Sequence, residues 1–123
     1  ERSALTYPFR SLLDAGVELV FSSDCPVSAY EPLKGIQAAV TEQTGSDRPY
    51  APAEAISVDE GIRLYTLAGA RASFEEADKG SIEVGKLADF AILADDPASV
   101  EPNRVADVPI RATVIGGVTV YEA

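Results

Sequence analysis

Leu19-Val20-Phe21-Ser22-Ser23-Asp24-Cys25-Pro26 is the stretch on which the reading of the fold turns. An apolar run that opens at Leu19 ends abruptly in a carboxylate followed by a proline. Such a run reads as a buried parallel strand that delivers one Asp to its C-terminal end. Enzymes built on parallel α/β sheets place their reacting groups at those ends, which makes Asp24 the candidate catalytic residue. The chain contains no histidine. Imidazole can therefore supply neither a metal ligand nor a general base near neutral pH, and the partners of Asp24 are expected to lie elsewhere.

Working outward, Pro8 to Ala15 has helical spacing, with Pro8 suited to a first turn and Gly16 to a C-terminal stop. Downstream, Pro32 to Val40 reads as a second helix that places Leu33, Ile36, Ala39 and Val40 on one face. Together these give helix, strand, loop and helix around Asp24. Thr44 to Pro52 carries Gly, Ser, Asp and proline and reads as a loop. Ser57-Val58-Asp59-Glu60 has the form of a capping box that starts a helix through Ile62, Leu64, Tyr65, Leu67 and Ala68, with Gly69 interrupting the pattern.

After Gly80 the pattern turns extended, which sets an expected boundary between residues 1–79 and 80–123. Asp89 to Ala94 reads as a short strand closed by Asp95-Asp96-Pro97. Arg111 to Ile115 and Val118 to Tyr121 flank Gly116-Gly117, a loop suited to a primed hairpin turn. Lys86 and Asp89 read as turn residues rather than an active ion pair. Cys25 has no nearby cation to depress its pKa and reads as inert. Tyr65 and Phe74 fall in an apolar helical pattern and are expected in the core.

The chain has 123 residues, 46% of them hydrophobic, so it can bury a core of its own. Its 20 acidic against 10 basic residues give a net charge of −10, a field that repels phosphate backbones and anionic lipid. Nucleic acid and membrane surfaces are therefore not expected partners. The single cysteine precludes an internal disulfide. No long apolar span or basic leader is visible, and a cytoplasmic location is expected.

Tyr7-Pro8-Phe9-Arg10-Ser11-Leu12, Ser22-Ser23-Asp24-Cys25-Pro26-Val27, Tyr65-Thr66-Leu67-Ala68-Gly69-Ala70, the stretch Gly80 to Phe90 and Val114-Ile115-Gly116-Gly117, in this order, resemble the C-terminal end of a metal-dependent amidohydrolase. Within that superfamily the chain is most similar to the branch that includes N-substituted formamide deformylase-like enzymes. The resemblance implies an α/β fold, the end of a (β/α)8 barrel in which Val17 to Ser22 is strand eight. Two helices would follow it, and the strands after Lys86 would belong to a composite β-sandwich. On that template residues 1–79 close the barrel and residues 80–123 complete the sandwich.

The resemblance further implies that Asp24 contacts a divalent metal, zinc by expectation, and relays a proton from metal-activated water to the leaving nitrogen. Ser22 stands where the family usually has Gly. With no histidine ligands, the expectation is a fragment of a hydrolase of amide-type C–N bonds, inactive by itself and holding no metal. Its small-molecule substrate belongs to the full-length parent. The alternative is a stand-alone, non-catalytic interaction or regulatory domain of the same ancestry. A lone strand eight would leave two unpaired edges, so the isolated chain is expected to self-associate.

Overall fold

The computed structural model describes residues 6–43 and 49–123. Part of the expected loop over 44–52 thus lies outside the described residues. Helix α1, Phe9–Asp14, begins directly after Pro8, whose carbonyl accepts from the Leu12 N–H at 3.0 Å. It ends at Gly16, whose φ of +77° closes the turn in the left-handed region that glycine adopts without a Cβ penalty. Helix α2, Pro32–Thr41, carries its proline in the first turn and buries Ile36 and Ala39, as the spacing predicts.

Helix α3, Val58–Tyr65, starts at the predicted capping box. The Ser57 hydroxyl accepts from the Glu60 N–H at 3.2 Å, while Glu60 Oε2 accepts from the Ser57 N–H at 2.8 Å. The helix does not run on to Ala68 as expected. It breaks at Thr66 (φ −117°, ψ −87°), whose Oγ1 donates to the Ile62 carbonyl at 2.8 Å, and helix α4, Leu67–Ala72, follows with Gly69 inside it. The interruption is thus a threonine whose hydroxyl bonds back onto the preceding turn, not the glycine. Phe74, expected in the core, is 92% exposed just beyond α4. Helices α2 and α3 touch closely at Gly61, where a Cβ would lie 2.9 Å from Ile36 Cγ2.

Residues 17–24, where the sequence reading expects a strand, form no strand ladder with the described residues. A ladder needs a neighbouring strand, and among the described residues none lies beside this segment. Its backbone is held by helices instead: Val17 N–H donates to the Leu12 carbonyl at 3.0 Å and Phe21 N–H to the Leu64 carbonyl at 3.1 Å. One face, Leu19 and Phe21, packs with Phe9, Leu13 and Ala68 on the buried cluster of Ala39, Ile56 and Leu64. The other face is open, with Val20 47% exposed.

The tail is an antiparallel sheet of β1 (Phe90–Leu93), β2 (Ile110–Ile115) and β3 (Val118–Glu122) in that order. Gly116 and Gly117, both at positive φ, make the β2–β3 turn, and Asp89 Oδ1 accepts from the Gly116 N–H at 2.6 Å. Lys86 meets Ser81 Oγ at 2.6 Å and Glu83 at 3.2 Å, so Lys86 and Asp89 each hold a turn, as read. A 3₁₀ turn over Pro102–Asp107, not anticipated from the sequence, packs on α2 through the fully buried Val105. Gln37 Oε1 accepts from the Ala106 N–H at 2.8 Å, tying the sheet-bearing half to the helices. No helix among the described residues is long and apolar enough to cross a membrane.

Candidate functional site

Asp24 sits at the end of residues 17–24, in a turn whose backbone its neighbours satisfy. Ser22 Oγ accepts from the Asp24 N–H at 3.4 Å, Ser23 Oγ accepts from the Cys25 N–H at 3.3 Å, and the Asp24 carbonyl accepts from the Val27 N–H at 2.8 Å. Ser28 Oγ also donates to the Ser23 carbonyl, and the Cys25–Pro26 peptide is cis. Asp24 itself has a φ of +52°, an uncommon conformation for a residue with a side chain. Residues held there cluster at functional sites, because the surrounding structure must over-determine them.

The Asp24 side chain is exposed, and among the described residues it pairs with none. It does not cap the next helix either, since Glu31 occupies that N-cap position. The turn around Asp24 thus presents a carboxylate without using it structurally. Cys25 beside it is a free, exposed thiol. Among the described residues no three His, Cys, Asp or Glu side chains come together as a metal site. Zinc sites take three or four such ligands, a number that the described residues do not bring together.

Behind the segment lies a second feature that the sequence reading missed. Glu42, the residue after α2, is 1% exposed, and among the described residues neither carboxylate oxygen has a hydrogen-bond partner. Burial raises its pKa above the usual carboxylate range, and the nearby Glu54 raises it further. Glu42 lines a cavity of 150 Å³ with Tyr7, Phe9, Phe21, Tyr50 and Tyr65, and Ser22 on its wall lies two residues from Asp24. The signal was the helical spacing of Gly35, Ala39 and Glu42, which puts this acid on an otherwise apolar face.

By contrast, the other acids here are satisfied. Glu54 accepts from the Ser11 hydroxyl at 2.6 Å and from the Ser11 N–H at 2.8 Å, bonds that hold its pKa below the usual range. The Ser57 N–H and the Arg10 guanidinium, the latter at 2.7 Å, do the same for Glu60. These contacts fasten α1 to the turn before α3 and to α3 itself. The sequence-adjacent α1 and residues 17–24 are thereby placed over one shared helical core.

Helices followed by an antiparallel sheet, with a carboxylate that is free among the described residues at the end of residues 17–24, define a mixed α/β protein whose candidate chemistry is that of a carboxylate. The chain belongs to the amidohydrolase family, whose model matches residues 1–121. It is 37% identical over 116 residues to N-substituted formamide deformylase of Arthrobacter pascens, covering 94% of this chain and 21% of that protein. It is 33% identical to YtcJ of Bacillus subtilis strain 168, covering 99% of this chain and 24% of that one. Among solved structures it resembles an uncharacterized metal-dependent hydrolase from Pyrococcus horikoshii OT3, with a TM-score of 0.71 and 30% identity over 82% of this chain and 21% of that one. The chain therefore spans between a fifth and a quarter of the length of these relatives.

Proposed function

We propose that this chain is the C-terminal part of a metal-dependent hydrolase that cleaves amide-type C–N bonds in a small molecule. The observation that carries this reading is Asp24: an exposed carboxylate, unpaired among the described residues, at the end of residues 17–24 in a chain that matches the family over residues 1–121. On this reading Val17 to Ser22 pair as the eighth strand of a (β/α)8 barrel once the rest of the parent lies beside them. The open Val20 face turns to the barrel interior, and β1 to β3 complete a composite sandwich. The parent's metal, zinc or another divalent ion, activates the attacking water when bound.

Asp24 has the geometry for one role in that reaction. An exposed carboxylate oxygen can take a proton and return it to the departing nitrogen, provided the rest of the barrel brings the substrate within hydrogen-bond reach. The turn from Ser22 to Ser28 holds its backbone in place by bonds that do not use the Asp24 carboxylate, which is free among the described residues. Alone, the chain supplies one metal ligand, and it is expected to be inactive.

The test is Asp24→Asn in the polypeptide encoded by the complete reading frame, assayed on an N-substituted formamide. We expect hydrolysis to fall at least about a hundredfold, as for removal of a general acid or base, with the fold intact by circular dichroism. Full activity in the variant would remove Asp24 from the chemistry. A reading frame that supplies no histidines upstream of Glu1 would remove the catalytic reading altogether.

A further inference from the structure

We infer, resting on the role proposed above for Asp24, that Ser28 together with Ser22 and Ser23 positions the Asp24 carboxylate for proton transfer. Two torsions, φ and ψ, relate the peptide before a residue to the peptide after it. Holding both peptides fixes the direction of the Cα–Cβ bond between them and leaves the side chain only its own rotamers.

At Asp24 all four polar atoms of the two flanking peptides are bonded. In the peptide before it, the Ser23 carbonyl accepts from Ser28 Oγ, and the Asp24 N–H donates to Ser22 Oγ at 3.4 Å. In the peptide after it, the Cys25 N–H donates to Ser23 Oγ at 3.3 Å, and the Asp24 carbonyl accepts from the Val27 N–H at 2.8 Å. Three of the four bonds end on serine hydroxyls, and none uses the carboxylate that they surround.

These bonds hold a conformation that Asp24 adopts at a cost, a left-handed φ of +52°. An aspartate in a turn ordinarily steadies itself, its carboxylate accepting from the N–H two residues on. Here that residue is Pro26, which has no N–H to give. Ser22 and Ser23 make the two-residue bond instead, to Asp24 and Cys25, and the acid is left for other work. Ser28 adds what those short-range bonds do not. It reaches back five residues to the Ser23 carbonyl and ties the far side of the turn to the peptide that enters Asp24. Proton transfer depends steeply on distance and direction, so a group that aims the carboxylate acts on the chemical step rather than on substrate binding.

The test is a double-mutant cycle between Ser28→Ala and Asp24→Asn in the polypeptide encoded by the complete reading frame, assayed on an N-substituted formamide. Ser28→Ala is expected to lower kcat about tenfold and to leave KM within about twofold of native. Ser28→Thr keeps the hydroxyl and should recover most of that loss. In the Asp24→Asn background Ser28→Ala should cost nothing further, because its effect passes through a group that is already gone. A native kcat in Ser28→Ala beside an impaired Asp24→Asn would overturn the positioning role and leave that of Asp24 standing. A loss carried by KM, an equal loss in the Asp24→Asn background, or no recovery in Ser28→Thr would do the same. Full activity in Asp24→Asn would overturn both.

Discussion

At the scale of the residue, Glu42 and Asp24 are opposite cases of an unpaired carboxylate. Asp24 is exposed, so water solvates it and its freedom costs little; Glu42 is buried, so its charge is opposed by desolvation. The folded-state pKa of Glu42 is raised, hence the folded chain binds the proton more tightly than the unfolded chain. Its contribution must therefore fall as pH climbs from the ordinary glutamate range through the raised value. Glu42→Gln is expected to gain stability on the order of 1 kcal/mol at neutral pH. The gain should vanish in acid, where the native residue is already neutral. Urea melts at both pH values check this, and a gain that persists in acid would mean that charge burial is not its cause. Glu54 and Glu60, with lowered pKa values, act in the opposite sense and lose their contributions as pH falls.

Among the elements, α3 shows how much local chemistry decides. Its start is fixed by a reciprocal pair, Ser57 and Glu60, and Glu60 also receives Arg10 from α1. The capping box is therefore a junction between two helices as well as a helix end. Ser57→Ala is expected to cost about 1 kcal/mol in a urea melt, through the orphaned Glu60 N–H. A loss well below that would show that water replaces the cap without penalty. The strand-like segment 17–24 teaches the converse. Leu19, Val20 and Phe21 in succession read as part of a buried strand, yet a strand's hydrogen bonds are not its own, and here helices α1 and α3 provide the bonds at Val17 and Phe21.

For the whole molecule, the open surfaces matter most. Ile92, Ile110, Val118, Val120 and Tyr121 are exposed on the sheet, and β1 and β3 are its edges. Unpaired edges beside apolar side chains favour pairing with another copy, while a net charge of −10 opposes it. We expect the isolated chain to self-associate, and more strongly in about 1 M than in about 0.1 M KCl, because salt screens the repulsion. Light scattering across that range decides it. A monomer at every salt and protein concentration would show that these surfaces do not pair.

The sequence by itself determined the elements whose causes are local. Pro8 and Gly16 bound α1, the Ser57–Glu60 pair starts α3, and Gly116-Gly117 turns the terminal hairpin, because each rests on the conformational limits or hydrogen bonds of a few neighbouring residues. The place of Asp24 in the turn after the apolar run was legible too, since a carboxylate followed by a proline is a local pattern. Only the tertiary structure decided that residues 17–24 lie on helices without a ladder, that Phe74 faces solvent, and that Val105 of an unforeseen turn is buried on α2. It alone brought Glu42 to the ring of Tyr7, Phe21 and Tyr65. Burial and pairing between distant segments depend on which surfaces meet, and no window of sequence contains that information.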